Sequence, residues 1–180
     1  MHGIVHKSLK SYVVEKAGDE TWNAIVERAN IEPTLYLPIS RYDDAEVDAA
    51  LSALASMAVQ DRPAIERDFG RALAPELRST FDAHLDGEAG LLEFLVSIET
   101  ITANVERTTE ETTLPDVTCT RERDRAVVVR YDSHRDYCDL ARGVLEGLVA
   151  EFDAAATVTE RACTRSGADD CAFLVELERP

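Results

Sequence analysis

A tyrosine, a serine and an arginine alternate with other polar residues at Tyr131, Ser133 and Arg135. They follow a run of β-branched residues. Because successive side chains of a strand point to opposite faces, these three share one face while Asp132 and His134 point away. Arginine binds a carboxylate through two parallel hydrogen bonds, and each hydroxyl donates one more. The pattern therefore predicts a site for one or two carboxylates, with ordinary polar residues at a strand end as the alternative.

Three cysteines form a second group in the C-terminal part of the chain. Cys138 falls on the first turn of a predicted helix, and Cys163 and Cys171 flank the turn of the last predicted hairpin. Zinc in proteins takes four ligands, so these thiols would supply three of them. Two other interpretations are small buried residues and a redox-sensitive cluster. The candidates for the fourth ligand are His134, Asp139 and, less favoured because it is interpreted as a core strand residue, Cys119.

The elements that position these residues fall into a helical part and a sheet part. Up to about residue 112, apolar residues recur at helical spacing. Gly18 is expected to end the first helix, and Pro75 is expected to end another. The main helix is predicted from about Glu88 to Arg107, and its apolar stripe comprises Leu91, Leu95, Ile98, Thr102 and Val105.

From about residue 113, β-branched runs predict four strands, at 117–120, 126–131, 157–164 and 171–177. The segment 136–152 returns to helical spacing between the two hairpins. The sequence therefore predicts one α+β domain over residues 1–180, with a helical N-terminal half packed on a C-terminal four-stranded antiparallel sheet that carries an inserted helix.

The charge of the chain limits its partners. Asp and Glu number 35 against 19 Lys and Arg, which gives a formal charge of −16. Such a surface repels nucleic acid and anionic membranes, so neither is an expected partner. An acidic, lysine-poor surface is also typical of proteins adapted to high salt, although an ordinary acidic cytosolic protein can have it too.

The sequence contains neither a recognisable targeting or membrane-spanning segment nor a common catalytic motif. There is no secretory signal and no apolar run long enough to span a membrane, so the expected location is the cytoplasm. No nucleophile elbow, phosphate-binding glycine loop or metalloprotease motif occurs either. The chain is therefore expected not to be an enzyme.

The spacing Tyr131-x-Ser133-x-Arg135, preceded by a hairpin and by Pro115 after a long helix, resembles the haem-nitric oxide/oxygen binding (H-NOX) family, which includes the haem domain of soluble guanylate cyclase. The N-terminal residues 1–9 and the order of the elements also resemble that family. In the family, the Tyr, Ser and Arg of this motif bind the two haem propionates. The resemblance implies the same role for these three residues here.

The family also has a histidine on the long helix as the sole protein ligand to the iron. Family spacing from Pro115 places Thr102 at that position, and no histidine occurs between His84 and His134. A threonine hydroxyl is a poor haem ligand. Three alternatives follow: another ligand, haem held by its propionates and apolar packing alone, or a pocket that has changed or lost its ligand. The histidines that could replace the family's ligand are His84, His2 and His6, and the alternative for each is an ordinary surface or helix-cap histidine.

The resemblance also implies which gas would bind. The family's oxygen binders place a tyrosine on the helix after the motif, and Leu140 occupies that position here, with Ile4, Val5 and Leu9 as expected apolar neighbours. Without a hydrogen-bond donor, an apolar pocket favours NO and CO over O₂. Tyr137, one turn earlier, would reverse this expectation if it points into the pocket.

The leading hypothesis is a domain that binds haem or a related tetrapyrrole, senses a diatomic gas and signals to a separate protein. In the family such partners are cyclases, kinases, diguanylate cyclases or chemotaxis receptors. Some bacterial members, and the related vinyl-reductase-like domains, carry a cysteine zinc site in the region that Cys171-Ala172-Phe173 resembles. The alternative is a haem-independent small-molecule-binding or interaction module on the same fold, and an enzyme of tetrapyrrole handling is the third hypothesis.

Overall fold

The computed structural model describes residues 3–38, 40–82, 89–108 and 115–179. The helices are α1 (Gly3–Arg28), α2 (Asp44–Met57), α3 (Arg62–Asp82), α4 (Leu91–Thr108) and α5 (Cys138–Glu151), and the strands are β1 (Asp116–Arg123), β2 (Ala126–Asp132), β3 (Ala156–Ala162) and β4 (Cys171–Leu177). The predicted α+β arrangement, with α5 inserted between two hairpins, is confirmed. No helix in these ranges is both long and apolar enough to cross a membrane.

The four strands form one antiparallel sheet in the order β1-β2-β4-β3. The two hairpins therefore join through β2 and β4, where Tyr131 pairs with Cys171. Val127 and Phe173 on these central strands are buried in one core together with apolar residues of α4 and α5. The sheet therefore packs one face against these two helices.

The helix boundaries follow local sequence signals. Gly18 interrupts α1 with φ 82°, a conformation that favours glycine, as predicted from its position. At the start of α2, the side chain of Asp43 accepts a hydrogen bond from the Ala45 N–H at 2.9 Å, which caps a helix end whose N–H groups lack intrahelical partners.

Two predicted boundaries are wrong. The helix does not end at Pro75, because α3 continues through it to Asp82. Proline costs the helix one backbone hydrogen bond, and burial of Leu73 and Ala74 on the preceding turn offsets that loss. Likewise, β1 continues to Arg123 instead of ending at residue 120, since the hairpin turn is shorter than predicted.

Helices α3 and α5 approach each other at glycines. A Cβ atom at Gly143 would lie 2.0 Å from the carbonyl oxygen of Arg67, and one at Gly70 would lie 2.3 Å from the carbonyl oxygen of Leu140. Beside this contact, Arg67 Nε and Arg71 Nη2 donate to Glu146 at 2.8 Å and 2.7 Å. Because α5 belongs to the sheet half, this contact fastens the helical half to the sheet.

The buried residues divide into two clusters. We call the first the helical core; it includes Leu9, Tyr12, Trp22, Ile25, Leu51, Phe69, Tyr137 and Leu140. We call the second the sheet core; it includes Leu91, Leu95, Ile98, Val127, Leu145, Leu148, Phe173 and Val175. Tyr131 and Val144 pack against both clusters and mark where they meet.

The glycine contact generates a prediction. We expect Gly143→Ala to lower the free energy of unfolding by about 1–3 kcal/mol, because the added methyl group must displace the α3 backbone. Chemical denaturation monitored by circular dichroism measures the change. Ala150→Ser, which also adds one heavy atom but on the exposed side of α5, should change stability by less than about 0.5 kcal/mol. Equal stability of the two variants would contradict the packing described.

Candidate functional site

The motif of Tyr131, Ser133 and Arg135 lies at the end of β2 and in the segment that leads to α5. Its three residues are half-buried, whereas Asp132 and His134 between them are exposed. The predicted alternation therefore continues past the end of the strand. As a result, two hydroxyls and one guanidinium are held on the inner side of this segment.

Tyr131 has the most enclosed environment of the three. Its ring packs where the helical and sheet cores meet. Burial raises the pKa of Tyr131 to about 12, and the nearby Ser133 hydroxyl opposes that shift. The phenol is therefore neutral at ordinary pH and can donate a hydrogen bond.

Arg135 reaches the N-terminus of α2, a contact that the sequence does not reveal. Its Nη1 donates to the backbone oxygen of Asp44 at 3.2 Å, and its Nη2 lies 3.4 Å from the Asp44 carboxylate. Its backbone N–H donates to the Ser133 hydroxyl at 3.3 Å. The guanidinium is thus placed between the motif and the helical half, with Asp44 as the competitor for any bound carboxylate.

The residues expected to line the apolar side of the pocket, which we call the apolar wall, are buried or pack against the helical core. Leu9 and Leu140 are buried in the helical core, Val5 packs against that core, and Ile4 is buried near the start of α1. Tyr137 also points inward, but its hydroxyl is surrounded by charged residues of α2 and α3 and by Arg135. It therefore lies beside Arg135 of the motif and the charged residues of α2 and α3.

The structure places Thr102 at the edge of the buried face of α4. Leu95, Ile98 and Ile101 are buried, whereas Thr102 is half-buried and its hydroxyl donates to the Glu99 carbonyl at 3.1 Å. The expectation that Thr102 faces the core directly is therefore met only in part, because the helical turn brings Ile101 to the centre of that face.

Pro115 and the three histidines proposed as alternative iron ligands are the remaining predicted site residues of this region. Pro115 is exposed just before β1. His2 and His84 lie outside the described residues. His6 is buried, with Nε2 within 3.1 Å of the Asp43 carbonyl oxygen and its ring 5.1 Å from that of Tyr36. It thus packs towards the start of α2.

The three predicted cysteines come together. The sulfur atoms of Cys138, Cys163 and Cys171 all lie within 4.8 Å of one another, and each residue is buried. The Thr164 hydroxyl, which the sequence did not suggest, lies 3.3 Å from Cys138 Sγ and 3.5 Å from Cys171 Sγ. Among the described residues, none of the predicted fourth ligands belongs to this group.

Cys138 and Cys171, whose sulfur atoms lie 2.7 Å apart, shift each other's pKa in opposite directions. Burial, and after it the contact with Cys171, raises the pKa of Cys138 to about 12. Burial opposes ionisation of Cys171 too, but hydrogen bonds from Cys138 and Thr164 lower its pKa. Cys171 is therefore the more easily ionised thiol of the pair, and the thiolate is the form that binds metal.

The comparisons with known proteins decide the family. The family model described as Haem-NO-binding matches residues 2–160. The chain belongs to the haem-NO-binding (H-NOX) family. No curated protein matches the chain.

Solved H-NOX structures share this fold over nearly the whole chain. A triple mutant of an H-NOX protein from S. oneidensis in the Fe(II) state has 25% identity and a TM-score of 0.89, covering 99% of this chain and 97% of that one. The Fe(II)NO form from S. oneidensis has 24% identity and a TM-score of 0.89, covering 99% and 100%. A double mutant of Tt H-NOX has 19% identity and a TM-score of 0.87, covering 100% and 96%.

The hydrogen-bond donors of this H-NOX chain suit the propionate edge of a haem better than its iron. Two hydroxyls and a guanidinium are suited to the propionate edge. The iron has no such match, because α4 contains no histidine and the hydroxyl of Thr102 is used by the Glu99 carbonyl. The structure therefore contains donors suited to a carboxylate edge, while α4 offers no histidine for an iron.

The buried phenol of Tyr131 generates a pH prediction. Its pKa of about 12, against an ordinary value of 10.0, means that the folded state holds the proton more tightly than the unfolded state. This contribution to stability is complete below about pH 10 and is lost as the pH rises towards 12. The difference between the phenolate absorbance titrations of the wild type and Tyr131→Phe should show one phenol ionising near pH 12. A difference centred near pH 10 would contradict the enclosed position.

Proposed function

We propose that this chain is a haem-binding gas sensor of the H-NOX family that acts in the cytoplasm, prefers NO or CO to O₂, and signals to a separate protein. The observation that carries this proposal is the position of Tyr131 at the junction of two apolar cores, with Ser133 and Arg135 following on the same side of the segment. A haem has a flat apolar body and two carboxylates on one edge. Apolar faces beside a cluster of hydroxyl and guanidinium donors suit both parts.

The junction offers two faces for the porphyrin. Leu9 and Leu140 belong to the helical core, and Ile98 of α4 belongs to the sheet core. Because these residues are already packed within their clusters, a porphyrin enters by separating the cores where Tyr131 and Val144 join them. Haem binding would therefore be coupled to a movement of the helical half against the sheet half.

Such a movement is the proposed signal. The glycine contact between α3 and α5 holds the helical half and the sheet half together at one place. Separation of the two cores at the haem site would therefore rotate one half relative to the other about this contact. A partner protein that contacts both halves would detect the rotation. The excess of 16 negative charges favours a partner surface that is basic.

The gas preference rests on Leu140. It offers no hydroxyl at the position where oxygen-binding relatives have a tyrosine, and a haem in an apolar pocket binds NO and CO without needing a donor. The buried Ser8 hydroxyl on α1 has no hydrogen-bond partner among the described residues, so it is the hydroxyl to test as a substitute.

The proposal predicts that Arg135→Ala weakens haem retention. Purified protein in high salt, which screens its own repulsion, is mixed with haemin and passed over a desalting column. We expect wild type to retain about one equivalent with a sharp Soret band, and Arg135→Ala to retain several-fold less, because a charged hydrogen bond to a propionate is lost. Arg130→Ala is the matched control, since that exposed arginine of β2 pairs with Asp170.

The comparison between the two arginine variants tests where the haem binds. Equal loss of haem from both arginine variants would contradict the assigned role of the motif. The reduced complex is then exposed to NO, CO and O₂. Spectral change with NO and CO only is expected, and a stable O₂ spectrum that Ser8→Ala abolishes would overturn the preference assigned to Leu140.

A second candidate function is favoured by the absence of histidine from α4. In it, the same fold binds another small molecule or a protein and needs no iron. The haemin experiment separates the two candidates, because a wild-type protein that elutes without a Soret band supports the haem-independent module.

We further propose that Cys138, Cys163 and Cys171 bind zinc, with the neighbouring Thr164 or a water molecule near the fourth position. Metal analysis of the untreated protein should give about one zinc per chain. Cys171→Ser should lose most of it, because zinc affinity depends on thiolate ligands. Cys119→Ser should keep it, as Cys119 is buried in the same sheet but outside the cluster. Less than about half an equivalent in wild type would rule out a stably occupied site.

A further inference from the structure

A cavity of about 410 Å³ lies beside the motif on the side of α2 and α3. Its charged lining residues are Asp48, Arg62, Glu66, Arg135, Asp136 and Arg165. The volume is within the range of small-molecule sites. Of the proposed haem-binding residues, Arg135 alone lines it, so the cavity is separate from the junction of the two cores.

Tyr137 supplies the observation that points to a ligand. Its side chain is only 3% exposed, and no described group accepts a hydrogen bond from its O–H. Burial and the Asp48 carboxylate raise the pKa of Tyr137, whereas a hydrogen bond from Arg135 and the charges of Arg135 and Arg62 oppose the shift. These three neighbours all line the cavity, which places the hydroxyl at its wall. Since a buried O–H group is rarely left without an acceptor, a ligand oxygen is the acceptor expected here.

The walls of the cavity are held by a buried carboxylate. Glu66 is 1% exposed, and its Oε1 accepts from Arg62 Nε at 2.7 Å while its Oε2 accepts from Arg165 Nη2 at 3.3 Å. Arg165 Nη2 also donates to the Asp136 carbonyl oxygen at 2.7 Å. Residues of α3, the turn before β4 and the segment before α5 are thus fixed relative to one another, and the site is organised before a ligand enters.

The charges of the lining define the ligand class. Three guanidiniums face three carboxylates, so the formal charge of these side chains is zero. A simple anion or cation gains little net attraction in such a site, whereas a ligand that carries both charges meets a partner for each. A carboxylate would accept from the Tyr137 hydroxyl and Arg135, and an ammonium group would donate to the carboxylates of Asp48 and Asp136.

We propose that this cavity binds a free α-amino acid as its zwitterion. In that class the carboxylate and the ammonium group are attached to the same carbon, which suits a site where guanidiniums and carboxylates alternate. The Tyr137 hydroxyl selects the carboxylate end. This site shares only Arg135 with the proposed haem site, since Tyr131, Ser133 and the apolar wall take no part in it.

The test uses the full chain as purified, with no haemin added, so that its outcome does not depend on haem binding. Each of the 20 common L-amino acids is added separately at constant ionic strength, and thermal unfolding is followed by circular dichroism. Acetate and methylamine, which carry one charge each, are the single-charge controls. At least one amino acid should raise the melting temperature by about 2 °C or more, as expected for a ligand that binds the folded state.

Two matched variants locate the effect. Tyr137→Phe removes the unpaired hydroxyl while keeping the buried ring, so it should fold normally and lose the shift. Tyr12→Phe removes a buried hydroxyl that bonds Asp68 at 3.0 Å, away from the cavity, and should keep the shift. The proposal is overturned if no amino acid raises the melting temperature, if Tyr137→Phe keeps the shift, or if acetate alone produces it.

Discussion

The contact between α3 and α5 is the constraint on which the rest of the structure depends. Gly70 and Gly143 let the two backbones approach to a distance that any side chain would prevent. Glu146 of α5 then binds two arginines of α3 beside the contact. Because α5 begins directly after the motif, fixing α5 against α3 also fixes Tyr131 to Arg135 at the junction of the two cores.

The same junction explains why the two ends of the proposed haem site differ. The propionate end is built from side chains that the turn after β2 positions, and it depends on local chain geometry. The iron end would depend on one residue of α4, and there the helix presents Ile101 and Thr102. A haem at this place would therefore gain its stability from its edge and its apolar faces.

Arg135 connects the motif to the helical half. Its guanidinium contacts Asp44 at the start of α2 and also borders the cavity that Tyr137 lines. A propionate and Asp44 would compete for the same donors. Haem binding, the position of α2 and occupation of the cavity would therefore influence one another through a single side chain, as linkage requires for ligands that share a contact.

The sequence predicted what depends on local periodicity. Alternation placed Tyr131, Ser133 and Arg135 on one side, and hairpin pairing brought Cys163 next to Cys171. It did not predict contacts between distant segments. The bond from Arg135 to Asp44 spans 91 positions, and the one from Arg165 to Glu66 spans 99.

Burial also overrode local signals in ways that the sequence did not reveal. Pro75 remains inside α3 although its own side chain is exposed, because Ala74 beside it is buried against α5. Tyr137 is a polar residue at the start of a helix, yet its ring is buried in the helical core and its hydroxyl reaches charged residues from α2 and α3. Only the packing of separate elements decides such orientations.

The most direct test of the account uses Trp22, the single tryptophan of the chain, which is buried in the helical core. A haem between the two cores would quench its fluorescence by energy transfer, so haemin is titrated into the protein while that fluorescence is recorded. A haem site at the junction predicts saturable quenching that ends near one equivalent and is weakened in Arg135→Ala. Quenching that continues without a break, or that is unchanged in Arg135→Ala, would contradict a haem site at this junction.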